Sequence, residues 1–356
     1  MMTHMPAPVL RTSHHVLASL PFLLGFQPQS SAVLLWLREG RLILTQRIDL
    51  PELSIKGNDF STLDVWTTGV VESASHADSQ EVLIAIFPTV LTKSSGVDSH
   101  QAQDCGPISN APLVASLSRA LVTAGKYPCA AWLVIEDDFW EFDFASANFS
   151  PTCHTVDPQV LIEVADDFVS AGWGHLSNRQ EVLSEFDADP VAQILMLTEI
   201  NHQKKVVRAG EQEVKRDECI SIIVAFLEAG TTDPSAQAQM ITGLMDIRVR
   251  DCVLWQLTNQ NCLASCAETL RMALRATPAG FRAPLATVTA LAFWLQGDGV
   301  RAGAALKQAT IDKADYGLAQ LLDLALINGL APKTWNETMG KMPYEACRAI
   351  AASQLQ

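Results

Sequence analysis

Arg47 and Asp49 stand two residues apart in the segment RIDLP, a spacing that puts both side chains on one face of an extended strand. At a strand end, such a pair is suited to hold an anionic group, the arginine binding it and the acid orienting the arginine. The plainer account is an ion pair tying the strand end to the loop that follows. A second charged group lies in MDIRVRDCVLW, where Asp246, Arg248, Arg250 and Asp251 fall within one helical stretch. Asp246 and Arg250 are four apart and Arg248 and Asp251 three apart, which predicts two ion pairs on adjacent helix faces. A half-buried arginine steadied in this way presents its guanidinium to an anion. Asp298, between Gly297 and Gly299, is the remaining acid that a site would draw on.

Other reactive residues carry less. Gly297-Asp298-Gly299 with Gly303 is superficially like a dinucleotide loop, but that motif follows a strand and this one follows a helical pattern, so a turn between helices is expected. Ser30 and Ser31 lack a G-x-S-x-G elbow, which removes the main signal for a serine nucleophile. Cys262 and Cys266 are four apart on a helical pattern without matching His or acidic partners, so they are expected to be buried cysteines and no metal is assigned. Cys153-His154 combines a thiol and a base, yet neighbouring side chains point apart and no further ligands accompany them. His14-His15 flank or cap the first helix. No cofactor motif is present.

The elements that must position Arg47 and Asp49 begin with a short helix from His14 to Ser19, capped by Ser13 and stopped at Pro21, then a turn at Gly25-Phe26-x-Pro28. The Val, Leu and Ile-rich runs Ala32 to Leu37 and Arg41 to Ile48, joined by Arg38, Glu39 and Gly40, predict a hairpin that Pro51 terminates. A helix is expected from Ser61 to Ala77, with Ser61 as its cap, and a strand covered on both faces at Glu81 to Pro88. A loop or insertion fills Thr89 to Asn110, a helix opens at Pro112 and closes at Gly125, and Ala130 to Ile135 forms a third apolar strand. Phe139 to Phe144 reads as an edge strand.

After Asp157 the periodicity is helical. Helices are expected at Pro158 to Ala171, Asn178 to Phe186 and, with breaks, from Asp189-Pro190 to Ala229. The middle of that last run, HQKKVVRAGEQEVKRDE, interleaves bases with acids and reads as a solvated face. Thr231, Thr232, Asp233 and Pro234 start another helix, followed by Gly243 to Gln256, Ala264 to Ala276 and Ala283 to Gln296. Beyond the Gly-Asp-Gly turn, Ala302 and Ala309 share a face, as in a single tetratricopeptide-like helical hairpin, and Gly329 closes the block as a helix cap. The expected organisation is a loose arm over 1–11, an α/β sheet domain over 12–157 and an all-α helical domain over 158–350.

Composition bounds the function. Hydrophobic residues make up 48% of the 356, enough for well-formed cores. Lys+Arg 25 against Asp+Glu 39 gives a formal charge of -14, which opposes binding of nucleic acid. No apolar run is long enough to span a bilayer, and the apolar segment Val16 to Phe26 is broken by Pro21, unlike a signal peptide. The eight cysteines show no C-x-x-C or dense spacing, which fits reduced thiols in a cytoplasmic setting.

Taken together, LPFLLGFQPQSSAVLLWL, RIDLP, IRVRD, AFWLQGDGVRAGAAL and GLAQLLDLAL resemble the actinobacterial family called domain of unknown function 4192, in order from about Arg11 to Trp335. The resemblance implies an α/β plus helical layout in a bacterial cytoplasm and brings no activity with it. Members carry an aromatic segment followed by paired cysteines; DDFWEFDFASANFSPTCHTVD keeps Trp140 and Cys153 without the pair, so cysteine chemistry of relatives is not expected here. The expectation is a binding or interaction module for a small anionic ligand or a protein partner, with Arg47, Asp49, Arg250, Asp251 and Asp298 lining a site between the two domains. The alternative is a hydrolase whose acids at Asp49, Asp251 or Asp298 act as general base or metal ligands.

Overall fold

Two apolar runs flank Glu39 and Gly40, and both turn residues take positive φ, 51° and 71°, the twist that a two-residue hairpin needs. In the computed structural model, which describes residues 11–51, 60–74, 78–89, 106–171, 173–206, 212–230, 233–259 and 263–349, this turn joins β1 (Ser31–Arg38) to β2 (Arg41–Asp49). The strands pair antiparallel, with Arg38 opposite Arg41 and Ser31 opposite Asp49, and a bulge at Trp36/Leu37. Several expectations fall outside the described residues: all but the last residue of the arm over 1–11, most of the loop after Thr89, the helix start at Thr231 and Thr232, Cys262 and the side chain of Ser61.

β1 then pairs antiparallel with β3 (Glu81–Phe87), and β3 pairs parallel with β4 (Tyr127–Ile135) through the crossover helix α3 (Pro107–Thr123). β5 (Asp138–Asp143) follows by a tight turn and carries two short strands, β6 (Asn148–Phe149) and β7 (His154–Thr155). The sheet order is β2-β1-β3-β4-β5-β6, with β7 on β5. β5 is therefore paired on both sides rather than an edge, and the two-residue strands were too short to show a period of their own.

Alternation places Ala32, Leu34 and Trp36 of β1, Val82, Ile84 and Ile86 of β3, and Ala131 and Leu133 of β4 on one face. There they form a core with Leu63 and Val70 of α2 (Phe60–Ser73) and Leu113, Val114, Leu117 and Leu121 of α3. Val33 and Leu35 point the other way and are equally buried, so the central strand is covered on both faces, as its unbroken apolar run requires. α1 (Ser13–Leu24) packs on β2 and on α4 (Pro158–Ser170).

Two helices differ from their sequence signals. α1 is capped by Thr12 rather than Ser13 and continues through Pro21 to Leu24, ending at Gly25 with φ 76°. Burial of Phe22 and Leu24 in the extra turn offsets the amide that Pro21 lacks. α3 begins at Pro107, not Pro112; Pro107 takes the first turn, where a missing N–H is harmless, and Pro112 lies inside.

The chain divides into two compact units: His4–Arg179 with Ile327–Leu330, and Gln180–Leu326 with Ala331–Gln356. The second holds α5 (Arg179–Ser184) except its first residue, α6 (Pro190–Val206), α7 (Gln212–Ala229), α8 (Pro234–Gly243), α9 (Ile247–Asn259), α10 (Leu263–Ala276), α11 (Arg282–Leu295), α12 (Gly299–Asp312), α13 (Gly317–Ile327) except Ile327, α14 (Pro332–Met339) and α15 (Tyr344–Ala349). α11 is buried along nearly its whole length and packs on α12, where Ala302, Ala305 and Ala309 let the two helices approach closely.

Candidate functional site

β2 ends at Asp49, and the register sets Asp49 beside Ser31 and Arg47 beside Val33, so Ser31, Val33, Arg47 and Asp49 share one face of the strand pair. Arg47 Nη1 binds Asp49 Oδ1 at 2.7 Å, as the two-residue spacing predicts. The arginine side chain is 14% exposed and the aspartate 75%, so the cation is held under the surface and its acid stands in water. Arg47 Nη2 donates to the Gln29 carbonyl at 3.3 Å, which draws the guanidinium toward the start of β1.

The same end of the sheet gathers further polar groups. Leu50 N–H donates to the Ser30 carbonyl at 3.2 Å, and Thr89, just past β3, donates its hydroxyl to Ser30 Oγ at 3.0 Å. Ser31 lies opposite Phe87, the last residue of β3, so this is the carboxyl end of the parallel β3/β4 pair, where α/β sheets place ligands. Trp66 fixes the exit of β2 by donating its indole N–H to the Asp49 carbonyl at 2.9 Å.

Arg250, Asp251 and Asp298 belong to the helical unit, whereas Arg47 and Asp49 belong to the sheet unit. Arg250 Nε and Nη2 donate to Asp251 Oδ1 at 2.9 and 2.7 Å, and its Nη1 donates to the Tyr316 hydroxyl at 2.8 Å. Burial alone pulls Arg250 down, but its bonds to Tyr316 and Asp251 outweigh this and hold its pKa above the ordinary value. The helix pairs expected from spacing are rearranged. Asp246 stands just before α9 and accepts the Arg248 N–H at 2.9 Å, while its other oxygen binds Arg216 of α7 at 2.6 Å, leaving Arg250 to Asp251. A capping carboxylate does not occupy the helix face that the four-residue spacing assumed.

Asp298 caps α12 by accepting the Arg301 N–H at 2.9 Å and binds the Arg301 side chain at 2.9 Å. Arg301 also binds Glu185 at 2.7 Å. Burial lowers the Arg301 pKa, and the bond to Glu185 with the charge of Asp298 more than reverses it, so this cation sits above its ordinary range. The Gly-Asp-Gly loop is thus a helix start, with Gly297 at φ 88°. Nearby, Arg271, Arg282 and Arg275 donate to the carbonyls of Glu185, Phe186 and Asp187, holding the turn after α5. None of these three carbonyl contacts follows from local spacing, because donor and acceptor lie roughly ninety positions apart.

The cysteines divide by burial. Cys266 and Cys252 are in the core, and burial pushes the Cys219 thiol up to about 11, with Asp246 and Glu218 adding to the effect. Cys153 is exposed, and its sulfur lies 3.8 Å from the His154 carbonyl while the His154 ring stacks on Phe139 at 5.4 Å. Among the described residues no group of three or more His, Cys, Asp or Glu is placed to hold a metal ion, and no helix is long and apolar enough to cross a membrane.

A mixed α/β sheet unit joined to a helical unit defines the class, which by itself fixes no activity. Within it, the chain belongs to the family described as Domain of unknown function (DUF4192), whose model matches residues 14–333. No curated protein and no solved structure matches the chain.

Proposed function

We propose that the protein is a cytoplasmic binding module whose ligand is a small oxyanion held by Arg47 at the end of the sheet, with Asp49 orienting the guanidinium. The observation that carries this reading is the state of Arg47: two of its nitrogens are fixed by Asp49 and Gln29, and its buried Nε has no partner among the described residues. A guanidinium aimed by two contacts and left with a donor is pre-organised for an acceptor. Arg250, Asp251 and Asp298 then steady the helical unit, since their groups are engaged by Tyr316, Arg301 and one another. The cytoplasmic setting rests on cysteines without the dense spacing of secreted domains.

A protein-interaction role is the second reading, favoured by α6, where Val191, Ile194 and Leu195 form one helical stripe and are 69%, 68% and 67% exposed. Native mass spectrometry of the protein purified from its own host tests both. A co-purifying small anion that is lost from the R47A variant supports the first reading. A stoichiometric protein partner with no small molecule supports the second and counts against the first.

A further inference from the structure

Helix α6 buries one face and leaves the opposite one bare. Met196 and Ile200 are in the core, where α6 packs on α8 and α10, and Gln193 ties the helix down by donating to the Thr277 carbonyl at 2.8 Å. On the other side Val191, Ile194, Leu195 and Thr198 follow the spacing i, i+3, i+4, i+7, the seam along which one helix packs on another. The first three are largely exposed. Thr198 brings no unpaired hydroxyl to the seam, because its Oγ donates to the Ile194 carbonyl at 3.0 Å. From Pro190 to Thr198 the chain carries no ionisable side chain, although the protein as a whole has a formal charge of -14. A basic partner is recognised through acids, and this stripe has none; a second copy meets it without setting any of the surplus acids face to face. The charges stand at the helix ends. Asp189 caps α6, accepting the N–H groups of Val191 and Ala192 at 3.1 and 3.0 Å, and Asp187 is exposed just before it. The helix runs on past His202 into the sequence Lys204-Lys205. Parallel pairing of two such helices sets acid beside acid, whereas antiparallel pairing lays each acidic start along a basic finish and opposes the two helix dipoles.

We infer that α6 is the contact surface of a twofold dimer, in which the α6 helices of two copies pair antiparallel through Val191, Ile194 and Leu195. This rests on the protein-interaction reading above and names the partner as a second copy of the chain. A twofold contact uses the same patch on both copies, so a stripe without charge and with opposite charges at its two ends is complementary to itself. Two helical turns make a small interface, below the size of a standard stable one, so the dimer is weak and depends on concentration, with a dissociation constant on the order of 10–100 µM. The contact is apolar while the copies as wholes repel, so salt strengthens it by screening the repulsion.

Sedimentation equilibrium of the full chain, from about 1 to 300 µM at low and at high sodium chloride, tests this. The wild type is expected to pass from monomer to dimer across that range, with the tighter dimer at high salt. L195D and L195K are each expected to weaken the dimer by about tenfold or more, because each sets like charges across the contact, and an equimolar mixture of the two is expected to restore it. Both variants are expected to keep the wild-type melting temperature measured on dilute monomer, since Leu195 is largely exposed, and recovery in the mixture shows independently that they are folded. A dimer that survives both substitutions, or one that tightens as salt is removed, overturns the α6 contact. A chain that stays monomeric throughout also overturns it, and pull-down from host extract then separates the two readings. A stoichiometric protein held by the wild type and lost from L195D leaves the interaction reading standing with a different partner; no such protein removes both.

Discussion

The indole N–H of Trp36 on β1 donates to the side-chain oxygen of Gln46 on β2 at 2.8 Å, and the Gln46 amide nitrogen donates onward to Ser73 Oγ at 2.6 Å and to the Val70 carbonyl at 3.3 Å. One glutamine thus joins the hairpin to α2 beneath the sheet. Trp36 is fully buried, so this acceptor takes the place of the water its N–H has lost.

Replacing Gln46 with Leu keeps the volume and removes the acceptor, leaving the Trp36 N–H buried and unpaired. The expected loss is about 1–3 kcal/mol of folding stability. Urea unfolding of Q46L, W36F and the double variant measures it. Non-additivity is expected, with W36F costing less in the Q46L background than in the wild type, because the orphaned donor disappears with the indole.

Gly329 belongs to the short segment Ile327–Leu330 that groups with the sheet unit, and it has φ 61°. A Cβ there would stand 2.9 Å from Leu44 Cδ2 and 3.4 Å from the Ser73 carbonyl. Gly297 has a similar backbone, φ 88°, with nothing within 4 Å of its Cβ position. G297A is expected to lose only the left-handed strain of about 1–2 kcal/mol, and G329A measurably more. Chemical denaturation of the two variants side by side separates strain from contact; equal losses would show that Leu44 yields freely.

Glu268 binds Arg271 at 2.5 Å, and that hydrogen bond holds its carboxyl below the ordinary value of 4.5. The unfolded chain therefore takes up this proton at higher pH than the folded one. The pair's contribution is present in full above about 4.5 and is lost as pH falls through the lower folded value. The stability gap between wild type and E268Q is expected to be largest near neutral pH and to close once the pH has fallen below the lowered folded value. A gap that persists in acid would mean that Glu268 contributes by packing rather than charge.

The hairpin, the covered strands at Glu81 and Ala130 and the helical second half were all legible in the chain, because each depends on neighbours in sequence. Val, Leu and Ile runs around Glu39-Gly40 determine a turn, and Asp157 or Asp233 before a proline determines a helix start. The Arg47–Asp49 pair was legible for the same reason, since two residues on one strand share a face. Tertiary structure decided which polar groups meet. Arg250 finds Tyr316 across 66 positions and Arg301 finds Glu185 across 116, distances over which no local spacing constrains a contact. It also decided that Ser31, one of two serines beside a turn, is buried with no hydrogen-bond partner among the described residues. Sequence gives a hydroxyl its place along a strand; only the packed sheet removes it from water.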